Sequence, residues 1–159
     1  MKIRRPAVAG QFYWSNPKEL LEQISSCYKH RLGPGSLGKT KDGPRKIVGA
    51  VVPHAGYMYS GPVAAHTYKE LAEDGTPKTI VILGPNHTGL GSAVATMVEG
   101  AWQTPLGTVE IDTGLAKEIS KQSQIIDLDE SAHYSEHSIE VQLPFLQHMV
   151  KILISFQFV

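Results

Sequence analysis

Two apolar segments, each followed by a loop rich in glycine, proline and histidine, constrain the fold of this 159-residue chain more than any other feature. Residues 47–52 and 79–83 are nearly continuous runs of aliphatic side chains, which is typical of strands buried on both faces. Residues 60–73 between them carry apolar side chains at helical spacing. This strand–helix–strand order predicts an α/β fold in which the two strands are parallel neighbours.

The rest of the chain fits the same class. Asn16 and Pro17 are typical of the start of a helix, which we expect to run to about His30. Pro144 predicts a kink or an early-turn position in the last helix. The other predicted elements are strands over 93–98 and 108–111, helices over 113–123 and 137–149, polar loops over 33–44 and 127–135, and a strand over 151–159.

Both apolar strands lead into a histidine. His54 follows the first strand and His87 follows the second, each in a loop with glycine and proline. Ligands of open α/β sheets bind at the carboxyl ends of the strands, and neighbouring strands lie about 5 Å apart. The sequence therefore predicts that His54 and His87 share a metal ion. The alternative for each one alone is a hydrogen-bonded surface histidine.

A third group of polar residues spans 133–140. Glu136 and Glu140 are four residues apart and can share one helix face. One interpretation is a helix start whose acidic residues interact well with the helix dipole. The other is an acid/base cluster beside the metal, in which His137 moves a proton. Tyr57, Asn86 and Glu136 are the candidate substrate-binding residues, and packing against the next helix is the alternative for Tyr57.

Composition excludes several classes of protein. Lys and Arg number 15, as do Asp and Glu, so the chain has no basic excess for binding nucleic acid. Cys27 is the single cysteine, which excludes a disulfide framework and a multi-thiolate zinc site within this chain. The apolar runs are too short to span a membrane, and the N-terminus lacks the apolar core of a signal peptide. We expect a cytoplasmic protein.

Five ordered motifs resemble the Memo-like family, which is structurally similar to the class III extradiol dioxygenases. They are RPAVAGQFY at 5–13, PHAGY at 53–57 followed by YSGP at 59–62, LGPNHTGLG at 83–91, WQTPLG at 102–107 and EHSIEVQLPF at 136–145. The resemblance covers residues 3–149. It implies a single three-layer α/β/α domain over 1–159 with a central mixed sheet.

The resemblance also implies a metal site. It assigns His54 and His87 as the paired metal histidines and His137 as a catalytic residue at the edge of the same pocket. The implied metal is Fe(II), with Zn(II) and Cu as alternatives. The implied function is a family protein with a histidine-based metal- or ligand-binding cleft. The alternatives are a non-haem Fe(II) extradiol-type dioxygenase and a zinc hydrolase.

The family pattern is longer than this chain. Its second half carries an Asp-containing motif with another histidine and a cysteine-containing loop, which complete the site. We therefore expect a fragment truncated at its C-terminus that binds metal weakly, is inactive alone and tends to self-associate through exposed edges. The resemblance implies a small aromatic ligand or a peptide, and partner proteins of radical-SAM and AMMECR type.

Overall fold

The computed structural model describes residues 1–150 and 154–158, the latter by their backbone. This part of the chain forms a mixed sheet and four helices, which confirms the α/β class. The elements are β1 (Ile3–Arg4), α1 (Pro17–Lys29), α2 (Tyr57–Asp74), β2 (Thr79–Leu83), β3 (Ala95–Thr96), β4 (Ala101–Thr104), β5 (Gly107–Ile111), α3 (Thr113–Gln122), β6 (Asp127–Leu128), α4 (Leu143–Met149) and β7 (Ile154–Phe158). The three-layer arrangement and the single domain stay predictions.

Local sequence signals determine where two of the helices begin. The side chain of Asn16 accepts hydrogen bonds from the backbone N–H groups of Lys18 and Glu19, as expected for the cap of α1. Pro144 lies in the first turn of α4, where its missing N–H costs nothing. The early-turn interpretation of Pro144 is therefore confirmed. The predicted start of this helix at residue 137 is wrong, because α4 begins at Leu143 after a short 3-10 turn.

Strand β7 is central to the sheet. It pairs in parallel with β2 and with β5, and it meets β3 in an antiparallel bridge. Strand β4 pairs antiparallel with β5 and parallel with β1, while β3 pairs parallel with β6. The predicted strand over 151–159 is confirmed over Ile154–Phe158, and residues 151–153 and 159 lie outside the described residues. The sequence did not predict β4 as an element of its own.

The strand predicted over residues 47–52 is wrong. This segment has no strand structure, and the side chains of Val48 and Val51 are fully exposed. The start of this segment is bound by Asp74, whose carboxylate accepts hydrogen bonds from the N–H groups of Lys46 (2.9 Å) and Ile47 (2.8 Å). Among the described residues β2 pairs with β7 instead. A β-branched run forms a strand only where another strand satisfies its backbone, and here a cavity of about 520 Å³ separates 47–52 from β2.

An aromatic cluster joins α1, α2 and α4. The ring of Phe145 lies 4.8 Å from those of Tyr57 and Tyr68 and 5.9 Å from that of Tyr28, measured between centroids. All four side chains are buried. Such rings bury large apolar areas, so this cluster fixes the start of α2 against the chain that enters α4. Both of those chain segments carry a histidine of the candidate site.

None of the helices among the described residues combines the length and the apolar character that a membrane crossing needs.

Candidate functional site

Three histidines from distant parts of the chain meet at one place. The ring centroids of His54 and His87 are 5.0 Å apart, those of His87 and His137 are 4.5 Å apart, and those of His54 and His137 are 5.9 Å apart. One ring nitrogen from each of the three lies within 4.8 Å of the others. The sequence predicted the first two as partners, and the resemblance placed His137 at the edge of the same pocket. In the structure all three rings lie together.

The loop that carries His54 is attached to the chain ahead of α4. The side-chain amide of Gln142 donates to the carbonyl of Pro53 (3.3 Å), and the hydroxyl of Tyr57 donates to the carbonyl of Val141 (2.7 Å). Tyr68 in turn donates to the side-chain oxygen of Gln142. His54 is therefore positioned from both sides although no strand precedes it.

The loop after β2 is folded by its own polar groups. The side-chain oxygen of Asn86 accepts hydrogen bonds from the N–H of Gly89 (3.0 Å) and the hydroxyl of Thr88 (3.0 Å), while its amide donates to the carbonyl of Leu90 (2.9 Å). Gly89 has a φ of +65°, which side chains other than glycine rarely adopt. These bonds shape the turn that presents His87 to the other two histidines.

Gly84 lets this loop approach the segment that carries His137. A Cβ atom at Gly84 would lie 2.5 Å from the hydroxyl of Ser138, which is closer than real contacts allow. The same hydroxyl donates to the carbonyl of Pro85 (3.0 Å). Glycine at position 84 therefore allows the segments that carry His87 and His137 to pack closely.

Glu136 connects His87 with His137. Its buried carboxylate accepts hydrogen bonds from the backbone N–H of His87 (2.6 Å), from that of His137 (2.7 Å) and from that of Ser138 (2.8 Å). Nδ1 of His87 also lies 3.0 Å from its Oε1. Burial alone raises the pKa of the Glu136 carboxyl, but these bonds outweigh burial and hold it at about 2. Glu136 is therefore an anion at neutral pH.

His137 is partly buried beside the other two rings, and Phe12 packs against it with ring centroids 4.7 Å apart. Desolvation lowers the pKa of His137, and the charges of neighbouring histidines lower it further, although Glu136 acts in the opposite direction. The neutral form, which can bind a metal ion or accept a proton, is the one that this environment favours.

A second buried carboxylate supports the same segment from behind. Glu140 accepts hydrogen bonds from the N–H groups of Ala7 (2.8 Å) and Val8 (3.0 Å) and from the hydroxyl of Tyr13 (2.6 Å), and it forms an ion pair with Arg4. Arg4 also donates to the carbonyl of Glu136 (2.6 Å). The N-terminal segment therefore fixes the backbone that carries Glu136 and His137.

The predicted site residues divide into two groups. His54, His87, His137 and Glu136 come together, whereas the Tyr57 side chain is buried in the aromatic cluster and the Asn86 side chain is engaged within its own loop. The substrate-binding roles predicted for Tyr57 and Asn86 stay predictions. Sequence reasoning missed Arg4 and Gln142, for which no local pattern signals a role. The four-residue spacing of Glu136 and Glu140 was the one available signal for the buried carboxylates.

The chain matches the family described as "Memo-like protein" over residues 4–158. It is 64% identical over 146 residues to a MEMO1 family protein of Methanopyrus kandleri, and 60% identical over 146 residues to one of Methanothermobacter thermautotrophicus. A MEMO1 family protein of Sulfurisphaera tokodaii is 53% identical over 148 residues.

Each of these three alignments covers 92% of this chain and 52% of the relative. The chain therefore spans about half the length of the curated relatives that it matches.

Proposed function

Because this chain belongs to the Memo-like family, we propose that it binds a divalent transition-metal ion through the imidazoles of His54, His87 and His137. The observation that carries the proposal is the convergence of three ring nitrogens within 4.8 Å. Imidazole is a preferred ligand of zinc, copper, iron and nickel. Three histidines that leave a coordination position open are the ligand set of some catalytic zinc sites.

The geometry fits such an ion after a small contraction. Two nitrogens on a tetrahedral zinc ion at about 2.05 Å lie about 3.4 Å from each other, compared with the observed span of up to 4.8 Å. The side chain of His87 is 41% exposed and that of His137 is 20% exposed, so both rings have room to turn toward an ion. A bound ion supplies Lewis acidity at its open coordination position.

The two acidic side chains beside the cluster have other partners. Glu136 is occupied by His87, His137 and Ser138, and Glu140 is occupied by Arg4 and the N-terminal segment. Neither is available as the carboxylate of the two-histidine, one-carboxylate site that non-haem iron oxygenases use. Among the described residues this leaves the three imidazoles as the ligand set, which supports a zinc hydrolase as a second candidate function beside the extradiol dioxygenase.

Metal titration of the purified chain tests the proposal. We expect one Zn²⁺ ion to bind each chain in calorimetry, weakly as expected for this chain alone, and we expect His54→Ala and His87→Ala each to weaken binding further, by roughly tenfold or more, because a coordinate bond is lost. His66→Ala is the matched control, since His66 is exposed and lies outside the cluster. Equal affinities for all four proteins would contradict the proposal.

Activity assays separate the two reactions. The zinc-hydrolase alternative requires the zinc-loaded chain to hydrolyse an activated ester, with the rate lost in His87→Ala, and an inactive zinc-loaded chain would count against it. Oxygen uptake with a panel of catechols after anaerobic reconstitution with Fe²⁺ would favour the extradiol reaction instead.

A further inference from the structure

We infer that Glu136 is a positioning residue that selects Nε2 of His87 as its metal-binding nitrogen. The inference rests on the proposed metal site and goes beyond it, since it assigns Glu136 a role other than binding substrate. Nδ1 of His87 lies 3.0 Å from Oε1 of Glu136, and the carboxylate is fully buried. Oε2 accepts the backbone N–H of His87, and Oε1 accepts those of His137 and Ser138. A carboxylate whose two oxygens both accept hydrogen bonds also accepts from Nδ1 of His87, so that nitrogen carries the proton.

A neutral imidazole has one proton to place. With that proton on Nδ1, the lone pair of His87 lies on Nε2, the nitrogen on the opposite side of the ring. Metal-bound histidines commonly donate their second N–H to a carboxylate, which fixes the tautomer and the orientation of the ring. The contact between Oε1 of Glu136 and Nδ1 of His87 matches this arrangement.

The same carboxylate also fixes the spacing of two ligands. It accepts from the backbone N–H of His87 (2.6 Å) and from that of His137 (2.7 Å), residues that are 50 positions apart in the sequence. One side chain therefore sets both the tautomer of His87 and the distance between the loops that carry His87 and His137. Replacement by glutamine would put an amide N–H₂ group, a donor, among groups that all donate.

Glu140 provides a matched comparison. It is equally buried, is four residues away and accepts bonds from Ala7, Val8 and Tyr13, with none from a histidine of the cluster. Loss of either carboxylate is expected to lower stability. Only the loss of Glu136 is expected to change the chemistry of His87.

The first experiment measures the tautomer in the wild-type chain without metal. Long-range ¹H–¹⁵N correlation spectra of the imidazoles at pH 8 are expected to show His87 protonated on Nδ1. A majority of the Nε2-protonated form would overturn the inference, whether or not the chain binds metal. This readout separates failure of the inference from failure of the proposed metal site.

The second experiment compares Glu136→Gln with Glu140→Gln in the full chain. We expect Glu136→Gln to weaken Zn²⁺ binding about 10–100-fold and to shift the absorption bands of bound Co²⁺, as is usual when the outer partner of a ligand is lost. Glu140→Gln is expected to retain the Co²⁺ spectrum despite lower stability. Identical Co²⁺ spectra and affinities for the two variants would show that Glu136 is merely structural. If Glu136→Gln does not fold, the tautomer of the wild-type chain still decides the question.

Discussion

The two segments that bring histidines to the site are held in opposite ways. Residues 47–53, which lead into His54, are apolar, yet Val48 and Val51 face solvent and the segment is attached mainly at its ends, through Asp74 and Gln142. Residues 136–142 are rich in polar side chains, yet Glu136 and Glu140 are fully buried and every bond they need is made within the chain. Hydrophobicity thus does not decide which segment is fixed. Satisfied hydrogen bonds and a nearby packing partner decide it.

Removal of Arg4, the charge partner of Glu140, is expected to have the largest effect on stability. Arg4→Ala leaves Glu140 as a buried charge without its counter-ion, which costs about 3–5 kcal/mol of the free energy of unfolding. Urea unfolding measures this loss. Lys2→Ala is the control, because Lys2 and Glu130 form an exposed pair (61% and 29% exposed) that solvent screens, so a much smaller loss is expected. Equal losses in the free energy of unfolding of Arg4→Ala and Lys2→Ala would contradict the view that the buried bonds of residues 136–142 fix that segment.

The ring of His133, three residues before Glu136, is buried. Neither of its ring nitrogens has a hydrogen-bond partner among the described residues, and its ring meets Trp102 edge-on at 5.7 Å between centroids. Burial, together with the charge of Arg4, lowers the pKa of His133 to about 4. The folded protein therefore holds His133 neutral at pH values where the unfolded chain protonates it.

This difference predicts a dependence of stability on pH. The unfolded histidine binds a proton below about 6.5 and the folded one below about 4, so stability is complete above pH 6.5 and falls as the pH is lowered toward 4. The full loss is on the order of 3 kcal/mol. Urea unfolding of wild type and His133→Phe across this range checks it. The phenylalanine variant lacks this titrating group, so its stability relative to wild type should rise by about 3 kcal/mol as the pH falls from 6.5 to 4. His66→Gln, a change at an exposed histidine, should retain the wild-type slope.

The smallest effect on stability is expected in residues 47–52, where the side chain of Val51 is exposed. Val51→Thr removes no packing contact, so we expect the free energy of unfolding to change by less than about 0.5 kcal/mol. Val109→Thr makes the same chemical change in a side chain that is 1% exposed and should cost about 1–3 kcal/mol. A large loss in Val51→Thr would show that residues 47–52 are packed in solution.

Several elements could be predicted because their signals are local. The cap at Asn16 and the early proline of α4 need no information from elsewhere in the chain. The proximity of His54 and His87 was predicted from a parallel strand pair that does not form. The two rings still lie 5.0 Å apart, because Gln142 and Tyr57 fix one loop and Glu136 fixes the other. The two histidines thus lie together as predicted, although the strand pairing from which their proximity was predicted does not form.

By itself the sequence determined the α/β class, the family and the two histidines that follow apolar segments. The tertiary structure decided which strand pairs with β2, that His137 lies in the cluster, and that Glu136 and Glu140 point inward to Arg4 and the histidines. The physical reason lies in the range of the interactions. A cap or a turn is satisfied by neighbours a few residues away, whereas a β-ladder and a buried charge need partners that can be more than 100 positions distant, as Arg4 is from Glu140.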